Sequence, residues 1–411
     1  MDKFFGSVDV VVIGAGTIGT AVSYYLSKYD NKRVMLVDRN QVGTGNTALA
    51  ASLLTLARSQ PDVIAMVSET YRSISNLETE LQEPLGLNRV GSIHIAEQDT
   101  TVARLNVLQE YLTAQGIANE VMDPEELKEK VPWIKADAVR SAFYTPDDGF
   151  IEASILANAF ARAARQRGVL VHTGMEVLEI LTEGSAVAGV KTDKGIVETP
   201  VVVDAAGAWS NLLAAGIKVS LPMAPVRSIY WITGQNTRLF PSSQPMVILP
   251  DANAYTRPEG GGLLFGIRDR ESTYFHPGQL PPDLQKFCFI EPEHHWDILE
   301  QDGVAFRNIF RQFDDVAIAH VITGVSTYTP DGAFIIGHSP LVQGFYAATG
   351  CVGAGVATSG GFGRVIAELI NGIDPFVDIS SFSISRHGNF DPFSAEFMGL
   401  CSAYRTRKKD G

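Results

Sequence analysis

A chain of 411 residues, 45% apolar and 19% charged, has the length and composition of an ordinary globular enzyme with two full cores. Its net charge of −13 argues against a nucleic-acid partner and against an anionic membrane surface. Its three cysteines, Cys288, Cys351 and Cys401, are widely spaced and form no C-x-x-C, which argues against a zinc site, an iron–sulfur cluster or a disulfide framework and fits a reducing compartment.

Taken in chain order, the first predicted element is the apolar run Asp9-Val10-Val11-Val12-Ile13, which ends in Gly14-Ala15-Gly16-Thr17-Ile18-Gly19 and is followed by a second strand closing on Asp38. Strand, tight turn, helix, strand and acid together make the dinucleotide-binding fingerprint. Gly14 permits the turn, Gly16 lets backbone approach a pyrophosphate, and Gly19 lets the helix pack closely. The helix N-terminus offers free N–H groups and partial positive charge to a diphosphate. Asp38 can accept from both hydroxyls of a ribose and would repel a 2′-phosphate, which disfavours NADP. The fingerprint alone leaves NAD and FAD open.

Residues 43–47 read as a turn-rich loop. The small residues at 48–52 fit either a flat ring lying on backbone or a packed helix start. Pro61–Leu81 has helical spacing and 90–96 alternates like a strand. Asp123 and Pro124 open a helix as N-cap and first residue. A turn at 145–149 precedes an amphipathic helix over 154–167, stopped by Gly168. Strands are expected over 169–171 and 201–204, the latter running into a small-residue turn, and a hairpin over 187–198. From 221 to 323, strand-like runs at 228–233, 246–249 and 262–267 alternate with Pro- and Gly-rich turns, suggesting an antiparallel sheet. His294-His295, with Glu291 and Glu293 nearby, reads as a solvated helix start rather than a metal site. A strand over 345–350 leads through glycine-rich 350–363 to a helix over 364–371. The basic stretch 405–409 reads as a solvated tail without function.

Four blocks resemble the FAD-dependent amine and amino-acid oxidoreductases of the D-amino-acid oxidase superfamily, in the branch of sarcosine oxidase, glycine oxidase, dimethylglycine dehydrogenase and amino-acid or opine dehydrogenase β subunits. They are residues 9–38, Thr145-Pro146-Asp147-Asp148-Gly149-Phe150-Ile151, Val203-Asp204-Ala205-Ala206-Gly207-Ala208-Trp209-Ser210, and Tyr328-Thr329-Pro330-Asp331-Gly332 with the strand after it. The resemblance implies that Gly14, Gly16, Thr17, Ile18, Gly19, Asp38 and Arg39 hold the ADP half of FAD. It places Thr44, Gly45, Asn46 and Thr47 near the phosphates. It puts Gly350, Val352, Gly353, Ala354, Gly355 and Val356 at the flavin's pyrimidine edge, where a helix end would stabilise negative charge. Ala51, Ser52, Val177, Ala206, Gly207, Trp209, Gly324 and Asp331 complete the implied cofactor positions.

The departures are as informative. Leu49 and Gly324 align with positions where relatives attach the flavin covalently, so non-covalent FAD is expected. Ser326 aligns with a carboxylate-binding arginine, and Leu264 with an oxygen-activating lysine, which favours a dehydrogenase slightly over an oxidase. Tyr255, Arg257, Arg268 and Tyr230 are the replacement candidates for the substrate side, alongside Ser326, with surface ion pairs the competing reading for each arginine. Arg58 and Arg72 stay open.

The expected architecture is α/β with α+β: a discontinuous Rossmann-like FAD-binding domain (1–84, 143–218, 325–378), an antiparallel-sheet substrate domain (85–142, 219–324) and a C-terminal tail (379–411). The resemblance implies oxidation of the C–N bond of an amino acid or secondary amine by hydride transfer to flavin N5, giving an imine that hydrolyses. The alternatives are an FAD-dependent 2-hydroxy-acid dehydrogenase and a flavin-binding subunit with little activity alone. A partner subunit or separate electron acceptor is compatible with this. With a first strand starting so near Met1 and no apolar stretch long enough for a bilayer, the expected location is cytoplasmic.

Overall fold

The computed structural model describes residues 4–29, 32–291 and 294–408. Glu293 and Lys409, named above, lie outside the described residues.

Val10–Ile13 is buried at every residue, so it needs a strand on each side and cover on both faces. Val202–Asp204 and Val34–Asp38 flank it in parallel register. The resulting six-stranded sheet runs Ile335–His338, Phe345–Thr349, Val202–Asp204, Val10–Ile13, Val34–Asp38, Leu170–Thr173. Its edge strand Ile335–His338 is antiparallel to its neighbour. Alternation along the strands sorts the two faces. Val10, Val12, Leu36 and Val203 pack into a core with residues of the helices Thr17–Leu26, Pro61–Leu81, Ala153–Gln166 and Ser359–Ile370. Val11, Ile13, Met35 and Val37 face the opposite way, with Ile180, Val190 and Val197 of a four-stranded sheet.

Ser359–Ile370 begins five residues earlier than the sequence spacing suggests. Its glycines are inside the helix because neighbouring helices come too near for a side chain. A Cβ at Gly363 would lie 2.7 Å from the Ala21 carbonyl carbon, one at Gly360 2.7 Å from Thr70 Cα, and one at Gly361 2.7 Å from Met66 Cα. These three are helix-packing residues, which leaves only the earlier part of the glycine-rich stretch to face a ligand.

The second layer is an eight-stranded sheet in the order Ile318–Tyr328, Ala224–Thr233, Gly262–Ile267, Ala254–Glu259, Met246–Leu249, Ser92–Ala96, Ser141–Thr145, Glu120–Val121. It is antiparallel except between Met246–Leu249 and Ser92–Ala96. One face is closed by Trp133, Phe306 and Phe310. The expected limits at 142/143 and 324/325 fall inside the strands Ser141–Thr145 and Ile318–Tyr328, each of which runs on unbroken from one expected domain into the other.

The C-terminus corrects the sequence reading. Ala395–Arg407 is a helix, capped by Ser394 Oγ accepting from the Phe397 N–H at 3.2 Å. Its buried Phe397, Cys401 and Arg405 recur every four residues on one face. Arg405 is 3% exposed and so is not part of a solvated tail, whereas Arg407 is exposed.

Asp148, in the 145–149 turn, is fully buried and accepts from Ser92 Oγ at 2.6 Å and the Leu56 N–H at 2.7 Å. Burial pushes its carboxyl up to about 7 against the pull of those bonds. An unfolded Asp loses its proton near pH ~3.9. The folded chain therefore holds an extra proton between about pH 4 and pH 7, and stability falls as pH rises through that window. Asp148→Asn should flatten this fall. Parallel melting-temperature curves for the two chains from acid to neutral pH would refute the assignment.

Candidate active site

A cavity of about 490 Å³ runs between the two layers, within the size range of cofactor and ligand sites. At one end stands the nucleotide turn. Gly14 has φ +102°, and a Cβ there would strike the Ala205 carbonyl oxygen, with the carbonyl carbon at 2.8 Å. A side chain at Gly19 would strike the Gly14 carbonyl. Gly19 therefore packs the turn and does not line the cavity. Asp38 accepts from the Ala15 and Asn40 N–H groups, each at 2.7 Å, and so ties the turn to the end of its own strand. Burial raises its pKa, and those two bonds oppose the rise.

The helix Thr17–Leu26 starts at Gly16 with no side-chain cap and no acid in its first turn. Its N–H groups are thus left for an anion, apart from that of Thr17, which donates to Thr47 Oγ1 at 3.2 Å. A cradle of glycines, a bare helix start and a fixed carboxylate fit the ADP half of a dinucleotide. The Arg39 guanidinium lies 4.1 Å over the Trp209 ring and pairs with Glu176 at 3.3 Å, walling this end.

Most of the expected cofactor positions meet here. Gly14, Gly16, Thr17, Ile18, Asp38 and Arg39 line the cavity, as do Thr44, Gly45, Asn46, Thr47, Ala51 and Ser52. Val177, Ala206, Gly207, Trp209, Gly324, Gly353, Gly355 and Val356 complete this group. The 48–52 stretch is not a helix start: Ala50, Ala51 and Ser52 present a small-residue wall to the cavity, with Ser52 at φ +63°. A Cβ on Gly324 would sit 3.2 Å from Leu49 Cβ, so the two aligned attachment positions meet at one point, and neither offers a nucleophile.

Four expected cofactor positions, besides Gly19, are placed otherwise. Asp331 lies off the cavity and is held by Arg386, Nε to Oδ2 2.7 Å. Burial would raise its carboxyl, but the bonds and charge of Arg386 hold it down to about 2. Gly350, Val352 and Ala354 shape the loop from behind, with Gly353, Gly355 and Val356 at the surface. Because the helix starts only at Ser359, loop backbone and not the helix's first turn forms this wall.

At the other end the sheet register builds a second wall. Tyr230, Gly266, Tyr255 and Ile248 form one row across four strands. A side chain at Gly266 would run into the Tyr255 ring, so the glycine makes room for the ring. Burial raises the Tyr255 hydroxyl's pKa, and the charges of Arg268 and Arg405 oppose the rise. Tyr230, Tyr255, Arg268 and Ser326 line the cavity. Arg257 does not. Its Nε donates to the Ala51 carbonyl at 2.7 Å, Nη1 pairs with Glu259 and Nη2 with Glu152 at 3.3 Å. Engaged in this way, Arg257 props the small-residue wall and is corrected from substrate ligand to structural tie.

Sequence reasoning missed Arg405 and Lys408, which line the cavity with Arg268. The four-residue recurrence of Phe397, Cys401 and Arg405 was the available signal. Arg58, left open, and Tyr328 also line it. Arg72 instead pairs with Glu69 at 2.9 Å, and His294 Nδ1 lies 3.0 Å from Asp297 at the start of an exposed helix.

A family model described as FAD dependent oxidoreductase matches residues 9–369. The mouse mitochondrial pyruvate dehydrogenase phosphatase regulatory subunit is 28% identical over 382 residues, 92% of this chain and 43% of that protein. The chain spans less than half the length of that relative and of others with comparable similarity. Glycine oxidase of Geobacillus kaustophilus is 26% identical over 393 residues, 92% of this chain and 97% of the relative. L-Proline dehydrogenase from P. horikoshii shares the fold, with a TM-score of 0.82 at 24% identity, covering 93% of this chain and 98% of the other. No helix among the described residues is long and apolar enough to cross a membrane. With the family match running the length of both layers, and a cradle built for the cofactor between them, the chain belongs to the FAD-dependent oxidoreductases of the D-amino-acid oxidase family.

Proposed function

We propose that this chain oxidises the C–N bond of an amino acid or secondary amine to an imine, which hydrolyses in water. FAD, when bound, supplies the two-electron acceptor. The observation that carries the reading is the wall opposite the nucleotide turn, where Tyr255 and Tyr230 lie in one sheet row and Arg268, just past the end of Gly262–Ile267, joins them at the cavity. A guanidinium grips a carboxylate in two places, and a phenol can add a third hydrogen bond. Among the described cavity-lining residues the carboxylates are Asp38 and Glu176, both at the nucleotide end, and there is no imidazole. Such a wall orients a neutral amine and excludes water, and that is what the chemistry asks of the protein. Similarity to glycine oxidase over nearly the whole of both chains supports an amino-acid substrate. Leu264, buried in the sheet, brings no positive charge to oxygen and supports a dehydrogenase over an oxidase.

Anaerobic mixing of the FAD-loaded chain with amines, amino acids and 2-hydroxy acids tests this. Bleaching of the flavin by an amino acid or secondary amine is the expected result, and bleaching by hydroxy acids alone would overturn it. Readmitted air should restore the colour slowly. Arg268→Met should lower kcat/KM for a carboxylate-bearing substrate roughly 10- to 100-fold, mostly through KM, the range expected for losing one charged hydrogen-bonding group. An unchanged KM would remove Arg268 from the site.

The similarity to a regulatory subunit favours a second reading, a flavoprotein subunit with little activity alone. Under it, no substrate bleaches the isolated chain.

A further inference from the structure

The cofactor loop holds a residue in a conformation its side chain disfavours. Val352 has φ +51°, and for a β-branched residue the left-handed region is a strained outlier that its surroundings must enforce. Both ends of Val352 are held. Its N–H donates to the Thr327 carbonyl at 2.8 Å. Its carbonyl accepts from Lys408 Nζ at 2.9 Å. Gly353, the next residue, is also left-handed at φ +77° and lines the cavity. Tyr328 Oη stands only 2.9 Å from where a Cβ on Gly353 would be.

Lys408 is itself fixed. Its backbone carbonyl accepts from Arg268 Nη1 at 3.1 Å. The helix that carries it is pinned by Arg405 on Asp269, and by Thr406 Oγ1 at 3.1 Å from Ser272 Oγ. An ammonium group reaching from the C-cap of the Ala395–Arg407 helix to the carbonyl of a strained residue is a clamp.

We propose that Lys408 is a positioning residue for the cofactor: it closes the left-handed Val352 turn and so keeps the backbone of Gly353 to Gly355 in its cofactor-receiving shape. The C-terminal helix is then part of the FAD site. This rests on the family's cofactor and not on the choice of substrate.

The test uses the full chain and needs no substrate. FAD affinity is read from flavin fluorescence quenching and the reduction potential from dye equilibration. Lys408→Met should weaken FAD binding about tenfold, as loss of one charge-assisted bond does, and move the potential to a more negative value because a cation leaves the cavity wall. Lys408→Arg should recover most of both. Glycine holds φ > 0 unaided, so in a Val352→Gly background the affinity cost of Lys408→Met should shrink to about twofold or less. Should Lys408→Met not fold, Lys408→Gln is read in both backgrounds with the same expected coupling. An unchanged affinity and potential would overturn the proposal. So would an equal affinity loss in both backgrounds, which would leave only a charge effect. A chain that shows the coupling yet is bleached by no amine keeps this inference and rejects the substrate reading.

Discussion

Replacing Gly14 by alanine should yield a chain that purifies without the visible absorption of an oxidised flavin. Two independent effects act at this position. At φ +102° an L side chain costs on the order of 1–2 kcal/mol by itself. The added methyl would also meet the Ala205 carbonyl, and a backbone carbonyl at the end of a buried parallel strand cannot rotate away. The turn must move, and with it the Ala15 N–H that holds Asp38. The contrast with Gly16 sharpens the expectation. A Cβ there meets Thr47 Oγ1 at 2.9 Å, the tip of a side chain that can turn aside. Gly16→Ala should therefore retain more FAD than Gly14→Ala at equal cofactor concentration. Equal occupancy in the two variants, measured as flavin released per chain, would show that the clash at Gly14 is not what controls binding.

The largest effect on stability is expected at Asp269. Its carboxylate is 2% exposed and serves two arginines, Arg405 on the C-terminal helix and Arg227 on the adjacent strand, the latter at 2.8 Å. Burying an ion pair adds little net stability, because desolvation cancels much of the attraction. Removing one partner is different, since the other charge stays buried without compensation. Asp269→Asn leaves two such cations and should cost about 3–5 kcal/mol. Denaturant unfolding with the slope checked for two-state behaviour measures this, and a loss below ~1 kcal/mol would mean that water already reaches the pair. Since Arg405 and Lys408 line the cavity on the same helix, the variant should also weaken FAD binding. A destabilised chain with wild-type FAD affinity would argue that the helix serves the fold alone.

The nucleotide half was legible because its signals are local. Val10–Ile13, the glycine spacing and Asp38 lie within one strand–turn–helix–strand unit, and each has one physical job. The same holds for Pro61–Leu81, for Asp123, whose carboxylate bonds the Glu125 and Glu126 N–H groups, and for Gly262–Ile267. Ala254–Glu259 was not legible from periodicity, because Pro258 interrupts its pattern, although the strand pairs fully with its neighbour. The glycine-rich stretch 350–363 serves two ends: Gly353 and Gly355 face the cavity, while Gly360, Gly361 and Gly363 admit neighbouring helices. Nothing in the spacing separates close approach by a ligand from close approach by a helix, since both need only an absent side chain.

The expectation of FAD came from the family resemblance of four separate blocks; from the local sequence came the apolar first strand, the pyrophosphate turn and its acid, and the strand-rich second layer. These depend on periodicity and on residues adjacent in the chain. The tertiary structure alone decided the placement of the arginines. Arg257, opposite Leu264 in the hairpin, is locked by Glu152 and Glu259, while Arg268, just past the end of the partner strand, lines the cavity and donates to the Lys408 carbonyl. It also brought Arg405 and Lys408, two residues of an apparent basic tail, into the cavity wall. A long charged side chain takes its function from whichever group it can reach, and that is set by the packing of segments far apart in the chain.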